Sequence, residues 1–178
     1  MEIIIIKTIW FFLPAAFANM APVIFNRLPL LDYPLDFNFT FKNKPLLGKN
    51  KTWRGLFVGV LFSIIIVYFQ KSFYEETKFL CIIDYTQINV ILFGFLSGFG
   101  ALFGDALKSF FKRRLNIAPG AIWIPFDQID WIIGCNIFIS FYIFLDFKYV
   151  LTSIIILSIL HPVINLIGFK LRLKGNKF

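Results

Sequence analysis

Charge is concentrated in one otherwise apolar part of this chain, the stretch Gly104 to Asp130, GDALKSFFKRRLNIAPGAIWIPFDQID. It carries three carboxylates, Asp105, Asp127 and Asp130, and a basic cluster of Lys108, Lys112, Arg113 and Arg114. A carboxylate placed deep in a membrane helix costs up to about 2.5–3.5 kcal/mol, so it is retained for a partner or for chemistry. Hard oxygen donors of this kind suit Mg²⁺, which is commonly held by one or two carboxylates together with substrate phosphates. A divalent cation would also relieve the repulsion that otherwise drives one of several close carboxylates to take a proton. Lysines and arginines around such a centre would hold anionic oxygens, arginine through a bidentate fork. A structural reading competes with this one. In it Asp105 pairs with Lys108 or Lys112 on its own helix, and Asp127 and Asp130 complement the dipole at the start of the next.

The elements that must position these groups are membrane helices. The chain has 178 residues, 58% hydrophobic and 20% aromatic, with 16% charged residues and a mean hydropathy of +0.77, too apolar for a soluble domain of ordinary composition. The apolar segments are about Ile3 to Phe25, Gly55 to Phe69, Ile88 to Gly104, Pro125 to Leu145 and Tyr149 to Phe169. This predicts an all-α integral membrane protein of five transmembrane helices, with residues 1–178 forming a single membrane-embedded domain. The third segment is expected to continue as helix to Arg114, because Asp105, Lys108, Ser109 and Lys112 fall at i, i+3, i+4 and i+7 on one face. Asp127 and Asp130, three apart, face the same way. Within that segment Gly94 with Gly98, and Gly100 with Gly104, give two G-x-x-x-G spacings that permit close helix approach.

The first segment holds Pro14 and Pro22, which should kink it and free backbone carbonyls that neighbours must cover. Ala16-Phe17-Ala18 has the look of a signal-peptide cleavage site. The basic load of the following loop (Asn26 to Arg54) resists export, so the segment is expected to be retained. Basic residues gather in that loop, after the third segment, and in the tail with Lys170, Arg172, Lys174 and Lys177. Positive-inside topology then puts the N-terminus outside and the C-terminus in the cytoplasm, with both charged loops on the cytoplasmic face of the cell (inner) membrane. The net charge of +8 sits in loops flanking spans, where anionic lipid headgroups account for it and nucleic acid does not.

The loop ends in GKNKTWRG, with Lys49, Lys51, Thr52 and Arg54. It contains Gly48-Lys49 but fails as a phosphate-binding Walker A loop, because Asn43 and Asn50 stand where Gly and Ser or Thr are needed. His161, the lone histidine, sits beside Pro162 in an apolar segment and reads as packing. Cys81 and Cys135 are far apart and suggest neither a disulfide nor a zinc site.

Taken together, Gly104-Asp105, Ser109, Lys112-Arg113-Arg114, Pro119-Gly120, Asp127-Gln128 and Asp130 resemble the CDP-archaeol synthases, short relatives of the phosphatidate cytidylyltransferases. The Lys49-to-Gly55 stretch looks like that family's other signature, and the likeness covers nearly the whole chain. The chain lacks His-Gly-Gly after Pro-Gly and has Gln128 where the larger enzymes have Arg, which places it with the archaeol-type branch. The resemblance implies a membrane cytidylyltransferase that takes CTP and a phosphorylated glycerolipid of archaetidic or phosphatidic type, uses Mg²⁺, works among membrane lipids and leaves room for a homo-oligomer. It implies Asp105, Asp127 and Asp130 as metal ligands and Lys112 and Arg113 as catalytic phosphate holders. Lys49, Lys51, Thr52, Arg54, Lys108, Ser109, Arg114, Pro119, Gly120 and Gln128 would then be nucleotide- or phosphate-binding. Two other functions compete: a CTP-dependent polyprenol-type lipid kinase, and a non-catalytic membrane component for lipid binding or transport. The chain has no D-x-x-D-G-x-x-A-R run of the CDP-alcohol phosphotransferases.

Overall fold

The computed structural model describes residues 2–26 and 28–170, so the basic tail residues Arg172, Lys174 and Lys177 lie outside the described residues. Four helices are long and apolar enough to cross a membrane: α1 (Glu2–Ile24), α2 (Trp53–Ser72), α4 (Val90–Arg114) and α6 (Phe147–Lys170). The short α3 (Tyr74–Thr77) and a 3-10 turn (Lys78–Leu80) follow α2. Helix α5 (Phe126–Ile139) packs against α4 and α6. A two-residue hairpin, β1 (Thr40–Phe41) and β2 (Lys44–Pro45), interrupts the loop between α1 and α2.

The expected fourth span differs from what is found. Helix α5 has 14 residues, a rise of about 21 Å against a hydrocarbon core of about 30 Å. The apolar run continues past it, but the backbone turns: Tyr142 and Ile143 N–H both donate to the Ile139 carbonyl, at 2.8 Å each. Tyr142 Oη then accepts from Asn89 N–H at 2.9 Å, tying this turn to the cap of α4, where Asn89 Oδ1 accepts from Ile91 and Leu92 N–H at 3.0 and 3.1 Å.

Helix α4 is the hub, packed against α1, α2 and α5. Its two glycine pairs serve different partners. A Cβ at Gly94 would stand 2.6 Å from Ile64 Cα, and one at Gly98 2.7 Å from Ser63 Cβ, so this pair seats α2. A Cβ at Gly104 would overlap the Asp130 carbonyl oxygen, and one at Gly134 would overlap the Gly100 carbonyl oxygen, so the other pair seats α5. Without side chains there, the α4 and α5 backbones approach closely enough to put Asp105 beside Asp130. The core below this contact is aromatic and aliphatic, with Phe11, Phe12, Phe93, Tyr85, Ile132 and Ile139 buried.

Helix α1 runs unbroken through both prolines. Pro14 has no N–H for the Trp10 carbonyl, and the Gln70 side-chain amide of α2 supplies the missing donor at 2.6 Å. The Ala18 carbonyl, freed in the same way by Pro22, lies against Gly59, where a Cβ would meet it at 2.8 Å. The Gln70 amide thus covers the Trp10 carbonyl in an apolar setting.

The glycine contacts generate a direct test. Gly104→Ala and Gly134→Ala should each destabilise the fold by about 1–3 kcal/mol through overpacking. A Cβ at Gly168 meets nothing within 4 Å, so Gly168→Ala should be neutral or slightly stabilising. Thermal unfolding in detergent of the three variants checks this, and equal midpoints for all would remove the close-approach account.

Candidate active site

The site is built where the second half of α4 meets the start of α5. Because α4 stays helical to Arg114, Asp105, Lys108 and Lys112 stack on the face turned to α5. Lys108 Nζ sits among three carboxylates, 3.1 Å from Asp105 Oδ1, 3.1 Å from Asp127 Oδ1 and 2.7 Å from Asp130 Oδ2. Lys112 Nζ adds 2.6 Å to Asp127 Oδ1, and Lys51, from the loop before α2, pairs with Asp105 Oδ2. Three acids face three ammonium groups, so the cluster is neutral as a whole while its side chains are largely withdrawn from water. Removing one member of such a group leaves a charge uncompensated, typically about 3–5 kcal/mol.

Both halves of the structural reading can be judged on this geometry. Asp105 does pair with Lys108 on its own helix, but the same ammonium also spans to α5. No side chain caps the first turn of α5; Asp127 turns back, accepting from Trp123 N–H at 2.5 Å, and Asp130 reaches across to α4. A turn sets this up. Pro119 and Gly120, the latter at φ +80°, form the corner of Ala118 to Ala121, closed by Ala121 N–H donating to Ala118 O at 3.1 Å. The Ala121 carbonyl then accepts from Lys112 Nζ at 2.6 Å, which aims the lysine at Asp127.

The other residues singled out in the sequence are placed as follows. Ser109 is buried and its hydroxyl donates to the Asp105 carbonyl at 3.0 Å. Thr52 caps α2, accepting from Gly55 N–H at 3.1 Å. Lys49, Pro119 and Gly120 are exposed beside the cluster's elements without joining its ion pairs. Arg113 Nε and Gln128 Oε1 are buried without a hydrogen-bond partner among the described residues. The guanidinium groups of Arg54 and Arg114 are committed to the loop. Arg54 pairs with Asp32 at 2.9 Å and donates to the Leu28 carbonyl at 2.5 Å. Arg114 donates to the carbonyls of Phe41 at 2.9 Å, Lys44 at 3.2 Å and Pro45, while its own carbonyl accepts from Lys44 Nζ at 3.2 Å. These two arginines clasp the loop at both ends, and the clasp delivers Lys51 to Asp105.

Sequence reasoning missed Asp36, which organises the same loop. Its Oδ2 accepts from Leu47 and Gly48 N–H at 2.8 and 3.1 Å, and its Oδ1 from Asn38 N–H at 3.0 Å. The Asp36-x-Asn38 spacing is the signal that was available, since an aspartate commonly bonds the backbone two residues on and asparagine tolerates a left-handed backbone. The turn between β1 and β2 uses Lys42 and Asn43, both left-handed at φ 51° and 57°.

Known proteins resemble this chain in sequence and fold. The sequence profile of the CarS-like family, CDP-archaeol synthase, matches residues 1–178. The chain belongs to this family. It is 34% identical over 177 residues to the CDP-archaeol synthase of Staphylothermus marinus, covering 95% of this chain and 92% of that one. It is 37% identical over 167 residues to the CDP-archaeol synthase of Methanococcus vannielii, with 93% and 92% covered. A solved structure of an intramembrane enzyme for archaeal membrane lipids biosynthesis superposes with a TM-score of 0.68 at 25% identity, over 89% of this chain and 92% of that one. The chain is thus an integral membrane protein of the CDP-archaeol synthase family, and the acid–lysine cluster is the most densely charged part of its fold.

Asp36 lies outside the spans and yields a pH prediction. Burial pushes its carboxyl up, but the N–H groups of Leu47, Gly48 and Asn38 outweigh that and hold it below the usual 3.8. A carboxyl depressed on folding contributes stability above its unfolded pKa and loses it as pH falls through the folded one. Asp36→Asn should therefore cost about 2 kcal/mol near neutrality. The difference in thermal midpoint between the two proteins should close as pH drops below 3.8. A gap that stays constant through that range would separate Asp36 from the loop's stability.

Proposed function

We propose that this chain transfers the cytidylyl group of CTP to a phosphorylated glycerolipid, giving a CDP-lipid and pyrophosphate. One juxtaposition carries the reading. The loop that carries Lys51 to Asp105 also walls, with Leu35 and Leu47, a cleft of about 310 Å³ lined by apolar side chains, among them Leu56 of α2 and Leu102, Ala106 and Leu107 of α4. At helical spacing the cleft residues of α4 and its charged residues lie on different faces, so the shared element is this loop, which would seat a lipid tail against Leu35 and Leu47 with its phosphate toward Lys51. A soluble nucleotide reaches the same cluster from the water side.

In the proposed reaction an oxygen of the lipid phosphate forms the new bond to the α-phosphorus of CTP as the α–β bridging bond breaks, and the electron pair leaves with pyrophosphate. A phosphate monoester is already anionic at neutral pH, so no histidine base is required. Lys112 and Arg113 hold and neutralise phosphate oxygens, and the unpartnered Arg113 Nε supports that role. Lys51 and Lys108 are the cations next nearest to hand. The oxygens of Asp105, Asp127 and Asp130 converge on one cationic point, now taken by Lys108 Nζ, and hard carboxylate donors are what Mg²⁺ requires. Among the described residues no three ligands stand ready as a metal cage, so the fit is one of donor chemistry, with Lys108 the group that must yield place. Bound there, Mg²⁺ would supply Lewis-acid neutralisation of phosphate charge.

We further propose that α5 is the fourth of five crossings, shortened within the bundle, with the N-terminus outside and the active site facing the cytoplasm of the cell membrane. The close pairing of Lys51 with Asp105 supports one common face for the two basic segments. In intact cells Glu75→Cys should react with a membrane-impermeant thiol reagent, whereas Lys49→Cys should react only after permeabilisation. The reverse pattern overturns the orientation.

The metal reading is tested at its ligands. Asp105→Asn, Asp127→Asn and Asp130→Asn should each abolish formation of CDP-lipid and pyrophosphate, a loss of at least about 100-fold, while the protein still inserts and elutes as a folded species. Assays across a Mg²⁺ titration should show partial rescue for a weakened site. Near-normal turnover of all three variants at low Mg²⁺ would remove the metal from the mechanism.

A further inference from the structure

The loop between α1 and α2 turns its large apolar side chains outward. Leu30 and Tyr33 are each 69% exposed, Phe37 62% and Phe39 66%. This is an ordered segment, not a slack one. Leu35 N–H donates to the Lys51 carbonyl at 2.7 Å, Trp53 N–H to Tyr33 O at 3.0 Å, Phe39 N–H to Asp36 O at 2.7 Å, and Arg54 N–H to Leu31 O at 2.8 Å. Two of its bulky residues, Leu31 at φ 52° and Phe37 at φ 48°, hold the left-handed backbone that such side chains avoid. That conformation persists only where the surroundings enforce it. The loop is therefore built, at some conformational cost, to present apolar groups that its own fold leaves uncovered.

The charges of the same loop are sorted. Both acids are used internally, Asp32 on Arg54 and Asp36 on three backbone N–H groups, and Lys44 and Lys51 are bonded to α4. Lys42, whose ammonium lies over the Phe41 ring, and Lys49 remain exposed, and among the described residues neither forms an ion pair. The loop also begins where α1 ends and stops where α2 begins, so it leaves and re-enters the bilayer at one boundary. Apolar and aromatic groups with exposed lysines, at the mouth of two spans, match the composition of a surface that beds into the headgroup region of an anionic leaflet.

We propose that this loop is an interfacial platform: Leu30, Tyr33, Phe37 and Phe39 insert into the headgroup–acyl boundary of the membrane that the chain's own helices cross, with Lys42 and Lys49 on anionic headgroups. The occupant is the lipid surface itself. This inference is independent of the proposed reaction, because it concerns where the loop rests and not what the cluster transforms.

The test uses the full chain in bilayers of phosphatidylcholine and phosphatidylglycerol. The two native cysteines are buried, so a single introduced cysteine can be labelled with an environment-sensitive fluorophore. Labels at Leu30→Cys and Phe39→Cys should show blue-shifted emission and lose intensity when the bilayer carries a nitroxide high on the acyl chain. A label at the exposed Glu76→Cys, beyond the opposite end of α2, should show water-like emission and little quenching. Water-like emission at Leu30 and Phe39 overturns the proposal. So does blue-shifted emission that lipid quenchers do not reach, which would mean that a second copy or another protein covers the loop.

Discussion

Everything near the candidate site depends on burying six charges without burying a net charge. Asp105, Asp127 and Asp130 against Lys51, Lys108 and Lys112 sum to zero, and each ion has an opposite partner within about 3 Å. Such a group is tolerated among apolar helices only if its members come from separate elements held in fixed register. The backbone contact of Gly104 with the Asp130 carbonyl sets the register of α4 on α5. The Arg54 and Arg114 clasps set that of the loop on α4. Packing and electrostatics are here one constraint, since loosening the glycine contact would strand the acids from their lysines.

Under the function proposed above, the same arrangement would keep the cluster closed to lipid headgroups at large. Lys108 holds the acids together from inside, so the cluster is satisfied before any substrate arrives. Anionic oxygens or a divalent cation must compete with existing ion pairs, which favours ligands bringing several charges at once over a single phosphate. In the reading proposed above, the apolar cleft walled by Leu35 and Leu47 of the Lys51 loop would add a second requirement, a hydrophobic tail.

Much of this was legible in the sequence. The concentration of acids and bases between apolar segments marked the ion-pair cluster, and the i, i+3, i+4 and i+7 spacing after Gly104 predicted that α4 would carry its charged face to Arg114, as it does. The two G-x-x-x-G spacings marked close approach, though not that each pair would meet a different helix. The end of α5 at Ile139 was hidden, because an apolar run of Ser140 to Leu145 does not distinguish helix from turn when the deciding bond comes from distant Asn89. The loop before α2 was the least readable part. Its shape rests on Asp36, on left-handed residues and on carbonyls that Arg114 reaches from the other side of the charged cluster, all contacts far apart in the chain. Contacts of this range are what spacing alone does not give: Arg54 is bonded to Asp32 and the Leu28 carbonyl, and Arg114 to the carbonyls of Phe41, Lys44 and Pro45.

The bond from the Gln70 amide to the Trp10 carbonyl bears on how the protein is assembled. A first helix released alone into hydrocarbon would carry that carbonyl bare, at a cost of several kcal/mol, with the Ala18 carbonyl in the same position one proline later. The second helix supplies the amide for the first of these and packs Gly59 against the second. The Trp10 carbonyl is thus satisfied only when the two helices are paired, and a slip of one residue between them would leave it bare. Two prolines that weaken the first helix in isolation make it dependent on the correct partner, in the correct register, from the earliest stage at which both are in the membrane.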